Sequence, residues 1–405
     1  MTSSISWLDH DSAAAERSLR ILSFFKERES RDELGIGGIR DAIADQLFPG
    51  TSTIQTRLRY VFFIPWLFEQ LDDRATSAAQ FAGAAREAEN RLLASLLDSL
   101  PASTWGVIGR EAGSSLKRMP SSVYWAALGR WGLRRFDGTL QQYFAQADRR
   151  NALARARRRR DDDDAHDGDA SGRAWHPQLA KLRPEGFPAG ADLDLTRHEA
   201  EFLLDRWRRQ HPESLLTWLA LDHTRHAEVP QAERIWLHPR CGDFPVWIRG
   251  LIDSARRFDS LIRGAALLYN LQLAELDARD DRVAAYKEGL STWALDDAPN
   301  CLGWSLAEFW PQVLGKGHSI TTETQRFVER WHALTCGDSG KIGASVPARQ
   351  LVEQRERKLK GARSRFANRA ALKQWGGAAG LAPLNYRWPT ANDFLNEWHL
   401  GWTRS

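Results

Sequence analysis

RDELGIGGIRDAIADQLFPGTSTIQTRLRYVFFIPWLF, Arg31 to Phe68, is the stretch whose reading decides the fold of this 405-residue chain. Ile39, Ile43 and Leu47 recur at helical spacing, and Pro49-Gly50 then breaks the helix. Thr51, Ser52 and Thr53 each offer a side-chain oxygen that can cap a new helix. Beyond them Ile54, Leu58 and Val61 make a second stripe, and Val61 to Phe68 is apolar on every side. Helix, Pro-Gly turn and helix is the layout of a helix-turn-helix, whose second helix reaches base edges with its N-terminal residues. Gln55, Arg57 and Arg59 stand at those positions, and Gln and Arg suit adenine and guanine. A structural helical hairpin accounts for the same residues, because VFFIPWLF has no polar face and must be buried.

The helical rhythm continues outward in both directions. Residues 13–28 place Leu19, Ile21, Leu22 and Phe25 between charges, with Asp11 or Ser12 as cap. Residues 84–100 read as an amphipathic helix stopped by Pro101, and Pro120-Ser121-Ser122 opens another. Thr196 and Glu199 form a capping-box pattern, and residues 244–276 are long and apolar enough for a central core helix. Residues 304–314, 321–334 and 347–375 keep the same period. Short strands are conceivable only near Val107-Ile108 and Ile235 to Leu237, so the expected class is mainly α, a multi-helix, two-part architecture.

One segment breaks the rhythm. Arg155 and Arg157 to Arg160 run into Asp161 to Asp164, followed by a Gly/Ser/Asp-rich tail with nothing apolar to bury. That composition reads as a flexible charged linker or insertion, solvated from about Arg158. The expected division is therefore residues 1–148 as an N-terminal helical domain with the candidate helix-turn-helix, 149–190 as the linker, and 191–405 as a C-terminal helical domain with a basic C-terminal helix.

Composition narrows the class. Hydrophobic residues make up 42% and charged residues 27%, as in soluble globular proteins. No charge-free run is long enough to span a bilayer, and no basic segment leads into an apolar one at the N-terminus, so a cytoplasmic, membrane-free protein is expected. Three cysteines, Cys241, Cys301 and Cys336, are too few for a disulfide framework. A net charge of +4 means that basicity has to be sought in patches. Eighteen tryptophans read first as core and inter-helix packing, and second as stacking platforms or partner contacts, with Trp398 and Trp402 as the exposed ones.

The strongest basic patch is RERKLKGARSRFANRAALKQW, residues 355–375. Read as one helix, Leu359, Ala362, Phe366 and Ala370 make an apolar stripe, flanked by Arg355, Arg357, Lys358, Lys360, Arg363, Arg365, Arg369 and Lys373. Cations displayed in that way suit phosphate contacts; an ordinary solvated face is the alternative. His223 and His226, then His238 and Cys241, have the paired spacing of a small zinc site, although unconnected histidines explain them as well. Asp32, Glu33, Asp41 and Asp45 could gather a metal, but caps and salt bridges to Arg31 and Arg40 are the simpler account. CGDSGKIG, residues 336–343, has the wrong glycine spacing for a phosphate loop, and no catalytic triad emerges from spacing.

Ser6-Trp7-Leu8-Asp9, RDELGIGGIRD (Arg31 to Asp41) and LFPGTSTIQTRLRY (Leu47 to Tyr60) resemble an uncharacterised bacterial family, a domain of unknown function of about this length. The similarity continues through VIGREAG (Val107 to Gly113), LKRMPSSVYW (Leu116 to Trp125), GAALLYN (Gly264 to Asn270) and YRWP (Tyr386 to Pro389). The resemblance implies no established activity, and a tendency to lie beside helicase and phospholipase-D-like genes in bacterial defence islands. The Arg/Asp run is peculiar to this chain. The expected function is thus a non-catalytic, nucleic-acid-associated subunit of a defence or DNA-processing complex. It would use Arg57, Arg59, Arg363, Arg365 and Arg369 on phosphate and Gln55 on bases, with DNA and neighbouring gene products as partners. The alternatives are a protein-protein scaffold without nucleic acid, or a metal-dependent enzyme acting on nucleic acid, with zinc as the one conceivable cofactor.

Overall fold

The computed structural model describes residues 32–161 and 173–404. Among them the backbone forms sixteen α-helices and six short 3-10 helices, with no strand and one isolated antiparallel bridge between Arg134 and Trp175. The chain is mainly α. The helix expected over residues 13–28 lies outside the described residues. At both conceivable strands the backbone finds a local or side-chain partner instead of a ladder. The Ile108 N–H donates to Tyr60 Oη (2.9 Å), and Ile235–Leu237 closes a 3-10 turn through Leu237 N–H to Arg234 O (2.9 Å).

The chain divides into two compact units, each assembled from two stretches. One joins the residues up to Ile43 to Arg249–Tyr386; the other joins Ala44–Ile248 to Arg387–Ser405. These boundaries replace those expected at 148 and 190. Residues 173–190 are no linker: Trp175, Leu179 and Phe187 are buried. The Leu179 carbonyl accepts the Trp66 indole N–H (2.7 Å), and Phe187 stacks on Phe63. On the near side the backbone is helical through Ala147–Asp161, and the Asp/Gly tail from Asp162 to Gly172 lies outside the described residues.

In the second unit the helix Tyr60–Asp73 is the axis. Every residue from Tyr60 to Phe68 is buried, as an all-apolar circumference demands. The helices Ala78–Ser99, Pro120–Arg130 and Gln178–Leu182 pack around it. The C-terminal helix Trp388–Thr403 lies on Arg197–Gln210 and Leu215–His223. Arg197–Gln210 opens with the expected capping box, Thr196 and Glu199 each accepting the other's N–H. Tryptophan fastens these pieces: the indole N–H of Trp131 donates to Pro49 O (2.7 Å) and that of Trp398 to Ala200 O (2.8 Å). Gly50, at φ +83°, has Trp131 where a Cβ would sit, so both backbone freedom and close approach require glycine.

The first unit is organised on the 31-residue helix Val246–Leu276, from Arg249 onward. Its carbonyls take side-chain donors as second hydrogen bonds. Ala255 O accepts Tyr386 Oη (2.7 Å), Ser260 O the Trp293 indole (2.7 Å) and Leu261 O the Trp331 indole (2.8 Å). Buried indoles need such partners, and a helix that is apolar along one face offers carbonyls to reach. Trp131, Trp293, Trp331 and Trp398 therefore serve packing, and Trp398 is fully buried and stacked on a half-buried Trp402.

Candidate nucleic-acid interface

The basic stretch does not form the single helix expected over residues 347–375. Val346–Lys360 ends at Gly361, whose φ of +54° a side chain would strain; a 3-10 turn follows to Arg363. Asn368 then caps a separate helix, Arg369–Lys373, accepting from Ala370 N–H (2.9 Å) and Ala371 N–H (3.2 Å). The apolar stripe is lost with the helix: Leu359, Ala362 and Ala370 are exposed and Phe366 is half-buried.

The break sorts the cations into three groups. Arg355 is buried and donates to Leu34 O (2.9 Å), Gly35 O (3.2 Å) and Thr324 Oγ1 (2.8 Å), over the ring of Phe327. Burial lowers its pKa below the ordinary arginine value. Lys360 and Arg365 both grip Glu33, each at 2.9 Å, and Arg365 also donates to Tyr269 Oη (3.0 Å). Glu356, fully buried, accepts the Ser364 hydroxyl and the Arg365 N–H (2.9 Å). This network anchors the start of the opening motif, and a charge buried there could not meet a phosphate without abandoning its partner. Lys358 pairs with Glu323 and Arg357 with Glu353 (2.8 Å), both on the surface.

Arg363, Arg369 and Lys373 remain, all exposed. Glu356 aside, the sequence from residue 355 to residue 392 holds no Asp or Glu. With that carboxylate buried and satisfied, the sequence neighbours of the three cations offer them no exposed acid.

The opening motif sorts the other way. Residues 51–59 run as loop and turn, and the second helix begins at Tyr60, so Gln55, Arg57 and Arg59 lie on no recognition helix. Gln55 is buried and staples its own turn, accepting from Ser52 N–H (2.8 Å) and donating to Gly50 O (3.1 Å). Arg57 pairs with Glu397 (2.5 Å), which also accepts the Leu58 N–H (2.8 Å). Arg59 is buried between Glu199 (3.1 Å) and Asp192 (2.5 Å). Burial raises the Glu199 carboxyl above its ordinary pKa, opposed by Arg59 and the Thr196 N–H. Tyr124 Oη completes the strut, accepting from Thr56 N–H (2.9 Å) and Arg57 N–H (3.0 Å) and donating to Arg57 O (2.7 Å). These groups hold a loop, and base reading by them is corrected to structure.

The histidine-cysteine spacing also fails to assemble. Among the described residues no group of three or more His, Cys, Asp or Glu could hold a metal ion. His223 and His238 are buried, while His226 faces Asp222 and Arg240 at the surface and Cys241 is half-buried. The motif acids do what capping and pairing require. Asp32 accepts from Ile36 N–H (2.8 Å) and Gly37 N–H (2.6 Å), and Asp45 pairs with Arg387. The buried network around Glu33 and Glu356 was not foreseeable from spacing, because its members lie more than 300 residues apart.

Fold and surface together define an all-helical protein, among its described residues, in which Arg363, Arg369 and Lys373 are exposed. The chain belongs to the family of unknown function DUF6361, whose model matches residues 2–400. Comparison with the curated proteins and with the solved structures finds no match.

Proposed function

We propose that this protein is a non-catalytic, nucleic-acid-associated subunit of a bacterial defence or DNA-processing complex. Its contact surface is the edge formed by Arg363, Arg369 and Lys373, with Arg357 and Lys358 beside it. The supporting observation is the absence of any exposed acid between residues 355 and 392, in a stretch where these three cations are exposed. Such an edge binds phosphate and carries no sequence information, so the mode is sequence-independent backbone contact. Gln55 drops out of the reading and DNA remains the expected polymer. A gel-shift series with a duplex and a single strand of mixed sequence tests it. Binding by the full chain, lost on replacing Arg363, Arg369 and Lys373 together by Glu, supports the reading; equal binding by the variant removes it.

A protein scaffold is the second reading, favoured by Leu237, Val246 and Trp247, which are exposed at 61%, 76% and 43%. Apolar side chains of that size so close in sequence suit a protein partner, such as a neighbouring gene product. Co-purification with such a product in the absence of nucleic acid supports this alternative.

A further inference from the structure

Three imidazoles from three elements converge inside the unit that holds the helix Leu215–His223. His223 ends that helix, His238 follows the 3-10 turn Ile235–Leu237, and His399 lies in Trp388–Thr403. All three are buried, and the rings of His223 and His399 stand edge to face with centroids 6.2 Å apart. Both nitrogens of His223, Nε2 of His238 and Nδ1 of His399 lack a hydrogen-bond partner. His238 Nδ1 accepts Arg240 N–H (3.1 Å), and His399 Nε2 faces Ala227 O (3.2 Å).

A buried acid, Asp222, stands beside the cluster, and its Oδ2 has no hydrogen-bond partner. Asp222 Oδ1 is engaged by Arg240 (3.2 Å) and faces His226 (3.5 Å), and Arg240 also pairs with Asp243 (2.7 Å). Arg225, Glu228 and Glu233 of the connecting segment are exposed. Glu397 on the C-terminal helix is bound to Arg57, and Glu199 on Arg197–Gln210 to Arg59. His238 otherwise faces the rings of Phe244 and Trp388. The same segment, residues 224–245, is held to the C-terminal helix by a short set of bonds. Trp388 donates to Ala232 O (2.8 Å), Asn392 to Gln231 (2.9 Å) and Gln231 to Asn396 (3.0 Å).

We propose that His223 and His238, packed with His399, form an acid-sensitive latch: while these two are neutral they seat residues 224–245 on Trp388–Thr403, and their protonation releases that segment. Burial, together with the neighbouring imidazoles and Arg240, pushes the pKa of His223 down to about 3; burial and Arg240, opposed by Asp222, put His238 at about 4. A histidine whose folded pKa is depressed contributes closed-state stability in full above the open-state value of about 6.5 and loses it as pH falls toward the folded value. Between pH 7 and 5 the ratio of open to closed segment therefore rises about twentyfold for each such imidazole.

Amide hydrogen exchange on the full chain, corrected for the intrinsic rate, tests this. Opening of residues 224–245 is expected to rise at least tenfold between pH 7 and 5 relative to Tyr60–Asp73, and His223→Gln with His238→Gln is expected to flatten that rise. Protection that does not change with pH, or a rise that persists in the double variant, overturns the latch. A ring-proton titration of the unaltered protein gives a second measurement should the variant not fold. At least two of the eleven histidines are then expected to stay neutral down to pH 5; eleven titrations near 6.5 overturn it.

Discussion

Arg355 and Arg363 lie eight positions apart and have opposite fates. Arg355 donates to two carbonyls and a hydroxyl in a buried site, so Arg355→Ala leaves acceptors unpaired and is expected to cost about 2–4 kcal/mol. Urea unfolding should report that loss. Arg363 is exposed, so Arg363→Ala should move stability by no more than about 0.5 kcal/mol while weakening DNA binding several-fold. Residue type was legible in the sequence for both; burial was not, because the groups that bury Arg355 come from Leu34, Gly35 and Thr324. A carboxyl offers a second test. Burial raises Glu89 to about 7 against the Ser121 N–H and hydroxyl, which it accepts at 2.8 and 2.7 Å. A raised carboxyl contributes stability below pH 4.5 and loses it as pH climbs toward 7. Glu89→Gln is therefore expected to flatten the stability profile between pH 4.5 and 7 by about 2–3 kcal/mol, read by denaturation across that range.

Elements with an unambiguous period were legible. The helix Ala78–Ser99 stops before Pro101, Pro120–Arg130 starts at its proline, and Thr196 caps Arg197–Gln210 with Glu199 in return. Two elements were not, and for related reasons. Residues 51–59 carry a helical stripe and good caps, yet long-range partners outbid the helix: Tyr124 takes the amides of Thr56 and Arg57, and Glu397 takes that of Leu58. Residues 347–375 keep a helical period through Gly361, but Ser364 and the Arg365 amide are drawn to Glu356, which turns the chain. In both places tertiary hydrogen bonds decide against local preference. Tyr124→Phe removes three hydrogen bonds from the 51–59 strut and is expected to destabilise the protein by about 2–3 kcal/mol. A fall in melting temperature, without a change in DNA affinity, is the matching observation; unchanged stability would mean the strut carries no weight.

At the scale of the whole molecule, class was legible and partition was not. Helical periodicity pointed to a mainly α protein, and among the described residues no helix is long and apolar enough to cross a membrane. The two units each draw on distant stretches because Glu33 answers Lys360 and Arg365, and Arg57 answers Glu397. No linear cut through the sequence can express such pairings. Together with the burial of Arg59 and Arg355, they withdraw five of the cations that the sequence assigns to nucleic acid. The proposed contact rests on three cations, Arg363, Arg369 and Lys373, which makes the central claim quantitative. The measurement that tests it most directly is the salt dependence of duplex DNA binding, followed by fluorescence anisotropy, in the unaltered chain and in the Arg363→Glu, Arg369→Glu, Lys373→Glu variant. Three phosphate contacts give a slope of about −2.7 in log affinity against log salt, expected to collapse toward zero in the variant. A slope that stays the same in the variant, or DNA binding that does not respond to salt, would contradict the account.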